Sequence, residues 1–349
     1  MEITLQKIYN KSEWKKCINQ CDSFDFYHTY DYHILSKSEG ETPLLLKYTE
    51  KNITIAIPLL VREISGTIYK DATSVYGYAG PISKDLPYDF DNSNFKKCLI
   101  TYFKKNNFVS VFSRLNPFIP GQCRAIIDIG TIYNQGKVVN IKINKDIETQ
   151  RQLFQRRLKT HINKAKRHCS IRKVSTDEDL NIFMEIYHEN MDRVQAKKAY
   201  YFSESYFQKI AKSDDFETII LLATDNKTSS VIAGCQFIIT NGIVQYHLSG
   251  AKNDFLHLMP TKLLIDEMRI IATKRGLNFF NLGGGLGGKD NDSLFNFKSS
   301  FSKDFKNFNL WKLIVNQDIY DSLVEKNDIT LKSDYFPLYR ANVDINVNL

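Results

Sequence analysis

The sequence predicts an α/β protein built as two halves, each with a mixed sheet, and three observations carry that prediction. The first is a pair of two-residue hairpin signals: Lys51-Asn52 joins TPLLLKYTE to ITIAIPLLVRE, and Asn241-Gly242 joins SVIAGCQFIIT to IVQYHLSGA. Two β-rich runs separated in this way read as antiparallel neighbours, and Asn-Gly is the strongest short hairpin signal. The second is a shared succession, since each hairpin leads into a loop, a helical run and then a further strand. The third is bulk: 349 residues, 43% hydrophobic and 13% aromatic, with only 8 Pro and 16 Gly. That is enough chain for two cores, with little composition left for a long disordered linker.

Taken in order, Ser12 is read as the N-cap of a first helix over EWKKCINQC, and a second helix is expected over residues 30–38. After the first hairpin comes the glycine-punctuated loop YGYAGPISKD. A helix over residues 94–106 is next, then FVSVFSRLN and CRAIIDI, both read as strands. The second half opens with a basic helix over residues 150–168. Next comes a helix over residues 177–193, with Leu180, Phe183, Ile186 and Tyr187 at helical spacing and Thr176 as N-cap. A helix over residues 203–212 leads into ETIILLATD and the second hairpin. Pro260 opens PTKLLIDEMRIIATKRG, with Leu264, Met268 and Ile271 on one face and Gly276 at its end. LNFFNLGGG is the closing strand.

Composition and spacing exclude several function classes. The N-terminus, MEITLQKIYNKSEWKKC, has no apolar stretch of the signal-peptide kind, and nothing approaches eighteen uninterrupted apolar residues. Six scattered cysteines without a C-x-x-C, and seven dispersed histidines, lack metal-site spacing, so no metal is expected and reduced thiols in a cytoplasm are. The net charge of +8 is local, because nine Lys or Arg and no acid lie between Arg151 and Ser175. Everything else therefore sums to −1. Arg156, Arg157, Lys159 and Lys164 belong to this run, which is either a solvated helix face or a surface for a polyanion such as tRNA, a nucleotide or a lipid diphosphate. With little aromatic interleaving, it gives no sign of base-specific reading.

The stretch NLGGGLGGKDNDSLFNFKSSFS, from Asn281 to Ser302, holds five glycines in six positions. Gly283, Gly285 and Gly288 fit a dinucleotide fingerprint, and Gly283, Gly288 and Lys289 fit most of a P-loop. The P-loop reading fails because Asp290 stands where a magnesium-ligating hydroxyl is needed, and Asp292 would repel phosphates. The dinucleotide reading fails because only about sixty residues come after it, too few for the rest of such a domain. A glycine turn leading into an amphipathic helix remains, with Leu294, Phe297 and Phe301 as its apolar positions and Lys298 beside Phe297. A lysine there can stabilise a developing oxyanion. Elsewhere, the loop holding Tyr76 and Tyr78 reads either as a packed turn or as a substrate-facing one. Arg193 reads as a helix-end charge, and His247 either as a general base or as a core histidine.

Together, YGYAGPI, NKAKRHCSIRKVSTDEDLNIFMEIYHENMDR, YHLSGA and the glycine run resemble the Fem-type (FemABX-like) aminoacyl- and acyltransferases over nearly the whole chain. The glycines followed by Leu-Phe-x-Phe-Lys-x-x-Phe are the most specific element. The resemblance implies two tandem GNAT-like domains, over residues 1–145 and 146–304, with residues from about 305 to 349 packing back onto the first. It implies Phe297 and Lys298 at the reaction centre, the lysine polarising the acyl carbonyl, with Gly284 and Gly285 admitting substrate to the backbone. Arg193 is implied for acceptor phosphates, Tyr246 for the acceptor groove, Asp85 as a base and Lys37 as a further binding group, while Tyr78 is a binding candidate through the substrate-facing reading of its own loop.

Two departures matter. No heptad stretch supplies the coiled-coil arm of peptidoglycan-bridge enzymes. LMPTKLLID also lacks the glycines whose amides hold the CoA diphosphate in a conventional acetyltransferase. The expected function is amide formation on a cell-envelope precursor, a peptidoglycan or surface-polysaccharide sugar that is nucleotide- or lipid-linked. The donor is aminoacyl-tRNA or acyl-CoA, no cofactor is tightly bound, and the protein works in the cytoplasm or at the inner membrane face. An acyl-CoA N-acyltransferase acting on an amino sugar, and a non-catalytic RNA-binding protein, are the alternatives.

Overall fold

Both hairpins close as two-residue turns, and the backbone shows why those residues make them. Lys51 (φ 56°), Asn241 (φ 48°) and Gly242 (φ 80°) lie in the left-handed region that such turns need. The structure is a computed structural model and describes residues 3–143, 146–326 and 334–341. The strands are β1 (Thr4–Ile8), β2 (Thr42–Glu50), β3 (Ile53–Glu63), β4 (Lys70–Thr73), β5 (Ile82–Lys84) and β6 (Phe108–Arg114), then β7 (Thr131–Ile141), β8 (Cys169–Lys173), β9 (Glu217–Asp225), β10 (Val231–Thr240), β11 (Ile243–Ala251), β12 (Phe279–Gly283) and β13 (Asp304–Ile314). The chain divides into two units, one of Met1–Gln135 with Phe308–Leu349, the other of Gly136–Asn307. Of the segments named from sequence, residues 144–145 at the expected boundary, and 327–333 and 342–349 of the expected C-terminal return, lie outside the described residues.

In the first unit the strand order is β1-β2-β3-β4-β6-β13, with β5 also on β3. Among these described strands β4 and β6 pair in parallel and the rest antiparallel. The helix Ser93–Lys105 lays Phe95, Leu99 and Phe103 onto this sheet, in a core shared with Tyr48, Phe108 and Trp311. Trp311 is fully buried, and its indole N–H donates to the carbonyl of Ile129. C-terminal residues are fastened by Asp71, whose buried carboxylate accepts from Tyr339 Oη at 2.9 Å, Arg340 Nε at 2.6 Å and Arg62 Nε at 2.7 Å.

In the second unit the order is β7-β12-β11-β10-β9-β8. The β11–β12 pairing is parallel and short, ending at Gln245↔Asn281, and the remaining pairings are antiparallel. On one face, the helices Arg156–His168 and Pro260–Lys274 bury Leu158, Ile162, Leu264 and Met268 with Phe237 and Phe280 of the sheet. On the other, the helices Asp177–Arg193 and Glu204–Ala211 bury Phe183, Tyr187 and Phe207 against Ile220 and Leu222. Gly250 lets the helix Asp177–Arg193 approach β11, since a Cβ there would lie 2.5 Å from the Ile186 carbonyl oxygen. Backbone against backbone cannot yield cheaply. Gly250→Ala is expected to destabilise the protein by about 1–3 kcal/mol, read as a lower urea midpoint.

Several elements differ from the sequence reading. The first helix, Lys11–Asn19, is capped by Asn10 rather than Ser12, the Asn10 side chain accepting from the Glu13 amide. CRAIIDI is not a strand: Gly121 (φ 80°) starts a short helix, Gln122–Ala125, and Ala125, Ile126 and Ile129 are buried from it and the turn beyond it. A short apolar run has no periodicity to separate these outcomes. The basic helix is broken into Ile147–Gln152 and Arg156–His168, because Phe154 turns inward onto Phe301 and Gln155 N donates to Ser300 O. Thr176 caps its helix as expected, and Gly276 (φ 67°) comes just after the end of Pro260–Lys274.

Candidate active site

Strand β12 delivers the chain into the glycine run, and the glycines there have steric reasons. Gly283, Gly287 and Gly288 have positive φ. A Cβ on Gly285 would lie 2.3 Å from the Lys289 carbonyl oxygen and 2.6 Å from the Asp292 carboxylate. The loop is thus folded tightly over Asp292, which caps the next helix, Ser293–Ser299, by accepting from the Phe295 amide at 2.6 Å, and also accepts from the Leu286 amide. Burial works against the Asp292 charge, yet those amides and the nearby Lys298 ammonium outweigh it and hold its carboxyl below the usual range. Starting the helix at Ser293 sets its register: Phe295 and Lys298 point inward, and Leu294, expected in the core, is 41% exposed.

Lys298 is the distinctive group. Its ammonium is buried and donates to the Gly284 carbonyl at 2.7 Å. Burial pushes its pKa down to about 8, with Asp292 acting in the opposite direction. An ammonium carries three N–H donors, and the described residues take one of them. Phe297 is half-buried, edge-on to Phe301 at 5.9 Å, with Lys262 Nζ 5.8 Å from its ring centroid. Phe297, Lys298, Gly284 and Gly285 are therefore brought together within one unit.

Two predictions rest on the lowered pKa of Lys298. In the oxyanion role expected of Lys298 only its charged form serves, so a Lys298-dependent step is expected to slow tenfold per pH unit above about pH 8, and a Lys298→Arg variant, whose guanidinium keeps its charge, should lose that limb. The folded value lies below the ordinary 10.5, so between about 8 and 10.5 the unfolded chain holds a proton that the folded one has shed. Stability from this group therefore rises with pH across that window, and below it the buried charge weighs against folding. Paired pH–rate and pH–melting profiles check both.

The remaining expected residues of the second unit lie on its sheet and helices. Tyr246 is half-buried on β11, its hydroxyl bonded to Ser249 Oγ, and burial raises its pKa well above the ordinary value. His247 occupies the β10–β11 bulge, bonded through Nε2 to Tyr206 Oη at 2.7 Å, and burial drops its pKa to about 3, which is the behaviour of a core histidine. Exposed Arg193 ends its helix and bonds Asn190. Arg156 and Arg157 are exposed, while Lys159 and Lys164 are partly covered, Lys164 donating to His257 O at 3.0 Å.

Asp85, Lys37 and Tyr78 belong to the first unit. Asp85 is exposed with φ 51°, and its amide donates to Asp22. Exposed Lys37 caps the helix Tyr30–Ser36. Tyr78 packs edge-on to Tyr27 and Phe308, and its loop is clamped through carbonyls: Asn116 donates to Tyr78 O at 2.8 Å, Gln122 to Ala79 O at 2.8 Å, and His28 Nε2 lies 3.0 Å from Ala79 O. The packed-turn reading therefore describes its base, while Tyr76 stays 63% exposed. Two features beside this loop and helix escape the sequence reading, the Asp292 cap and the His161–Lys262 contact. Asp-x-x-Phe before an apolar run was the cap signal; the pair had none.

Residues 216–308, which contain this loop and helix, match the model of the FemAB family. The fold is similar to that of FemX, with a TM-score of 0.69 at 14% identity over 91% of this chain and 99% of that one. The chain thus has a tandem GNAT-like fold similar to that of FemX, and the family match is carried by residues 216–308. L-PGS from Bacillus licheniformis has a TM-score of 0.57 at 12% identity, covering 90% of this chain and 95% of its own. A tandem GNAT protein from the clavulanic acid biosynthesis pathway has 0.50 at 9%, covering 90% and 99%. No curated protein matches the sequence. The mixed α/β sheets of the protein agree with the fold class expected from its hairpins. No helix among the described residues is long and apolar enough to cross a membrane.

Proposed function

We propose that the protein is an acyltransferase in which an acceptor amine attacks an activated acyl carbon beside Phe297. The FemAB match and the tandem fold support the class. The observation that carries the mechanism is Lys298: a buried ammonium held by the Gly284 carbonyl, with donors left over for a second oxygen. In that role it stabilises the negative oxygen of the tetrahedral intermediate, a kind of interaction worth about 10²–10³ in rate. Collapse of the intermediate expels the donor's alkoxide or thiolate, and the proton lost by the amine goes to that leaving group. A direct attack suits the site, since positioning of both reactants supplies much of the effect.

The finer reading is an aminoacyl group moved from aminoacyl-tRNA to the amine of an envelope precursor, a sugar that is nucleotide- or lipid-linked. Its support is the cationic face of the helix Arg156–His168 and the absence of CoA-type glycines in LMPTKLLID. Arg193 and Tyr246 would bind the acceptor. The test supplies radiolabelled aminoacyl-tRNA or acetyl-CoA with an amino-sugar nucleotide and with a lipid-linked amino sugar, and looks for an amide stable to mild base. Label transferred from tRNA supports the reading, label from acetyl-CoA selects the N-acyltransferase alternative, and tRNA binding without any turnover would sink it in favour of an RNA-binding role.

A further inference from the structure

One carboxylate fastens both arms of the turn that carries Lys298. Through separate oxygens, Asp292 accepts from the Phe295 amide at 2.6 Å, on the helix Ser293–Ser299, and from the Leu286 amide, on the glycine loop. β7 closes the loop from its other side: a Cβ on Gly284 would lie 2.8 Å from the Lys137 carbonyl oxygen, and one on Gly136 would strike the Gly288 carbonyl. The segment Gly284–Leu286 is thus held between that strand and Asp292, and the Gly284 carbonyl is the one that Lys298 Nζ meets at 2.7 Å. Capping alone does not call for this arrangement, since Asn and Ser cap a helix about as well as Asp. A carboxylate adds an acceptor oxygen for each of two amides, and a negative charge. Of the other charges around the helix, Lys289 is exposed, Lys137 pairs with Asp290 at 3.1 Å, Asp304 pairs with Lys306 at 3.2 Å, and Lys262 faces the Phe297 ring. Asp292 is the one whose charge acts on Lys298, and it opposes the loss of the proton that burial favours.

We propose that Asp292 is a positioning residue for acyl transfer: by tying the glycine loop to the helix it holds the Gly284 carbonyl and the Lys298 ammonium in register, so that the remaining N–H donors of that ammonium point at the acyl oxygen. The inference rests on the transferase reading above and deepens it, because it assigns the aim of Lys298 to a residue that acts through another. An ammonium on a flexible four-carbon stem carries three donors, and setting one of them on a fixed carbonyl directs the other two. Wild type, Asp292→Asn and Asp292→Ser test this, with Asp146→Asn as the control. Asp146 also caps a helix, accepting from the Glu148 and Thr149 amides, so its loss removes a capping carboxylate away from the glycine loop. Three quantities are read in each protein. They are the urea midpoint, kcat and KM for the donor–acceptor pair that turns over, and the titration of Lys298 by NMR of protein labelled at lysine Cε, with its resonance assigned by its absence from Lys298→Ala.

Both Asp292 variants should keep a urea midpoint near that of the wild type, because the helix keeps a cap, and should lose about 10- to 100-fold in kcat with KM within about twofold. Their Lys298 amine should titrate at lower pH than the wild type's value of about 8, since the charge that opposes deprotonation is gone. Asp146→Asn should change neither. A wild-type kcat in both Asp292 variants overturns the proposal, and so does a loss of kcat that comes with a lower urea midpoint and an unmoved Lys298 titration. If the wild type moves no acyl group, the transferase reading falls by itself. The titration then decides the tie, because a Lys298 that titrates alike with and without the Asp292 carboxylate is not held by it.

Discussion

Lys298→Ala is expected to lower the rate of acyl transfer by about 10²–10³ while leaving the protein folded and its donor affinity intact. The expectation comes from where the charge sits. Asp292 caps the helix that carries Lys298, and the capped glycine loop offers the Gly284 carbonyl on which the ammonium is aimed. Removing the amine takes a donor from Gly284 and a counter-charge from Asp292, but it also relieves the cost of burying an ammonium, which offsets those losses. Burial already disfavours the charged form. Thermal stability of the alanine variant should therefore match or exceed that of the wild type near neutral pH. Measured together, the two outcomes separate a reacting group from a structural one, since a lysine that merely pinned the loop would cost stability and activity in parallel. Near-normal turnover of Lys298→Ala would remove the mechanism proposed for this site.

Asp266→Ala should be the most damaging single change to stability in the second unit, at about 3–5 kcal/mol. The carboxylate is fully buried on the helix Pro260–Lys274 and accepts from Arg269 Nε at 3.0 Å and Nη2 at 2.8 Å. Lys166 approaches its other oxygen at 3.0 Å and Arg151 at 3.6 Å. Arg269 is only 1% exposed, and its remaining N–H groups reach Ile147 O and Gln150 Oε1. Take the carboxylate away and a buried guanidinium is left among two further cations. A lower urea midpoint with an unchanged slope would report this. An Arg269→Met change made in the same chain should recover part of the loss, because it removes the orphaned charge. If the midpoint of Asp266→Ala stays within error of the wild type, the carboxylate does not neutralise this cluster.

The parts that could be read in advance are those governed by short-range rules. Asn241-Gly242 needs only its own left-handed backbone to make a hairpin, and Thr176 needs only the Asp179 amide three residues on. Lys298 was legible because its loop, helix and charge lie within eighteen residues of one another. Long-range partners were not legible. The outer half of β7 is exposed and polar, so TIYNQGKVVNI carries no alternation, and its pairing through Val139 and Ile141 depends on β12, far along the chain. The break at Leu153–Gln155 depends on Phe301 and Ser300. The His161–Lys262 contact joins two helices that no periodicity connects. Leu294 is misread by one position for a local reason, because the Asp292 cap fixes where the helix starts and brings Phe295 to the core instead.

The first unit takes its sheet from both ends of the chain, with Trp311 of β13 in its core and Tyr339 and Arg340 latched to Asp71. The second unit is continuous in sequence. On a ribosome, where the chain emerges from its N-terminus, the order of completion is therefore inverted: the later-encoded unit can close while the earlier one still waits with an open edge beside β6 for its last strand. A released chain truncated just after Asn307 should be open to proteases in its first 135 residues and resistant in the segment that bears Lys298.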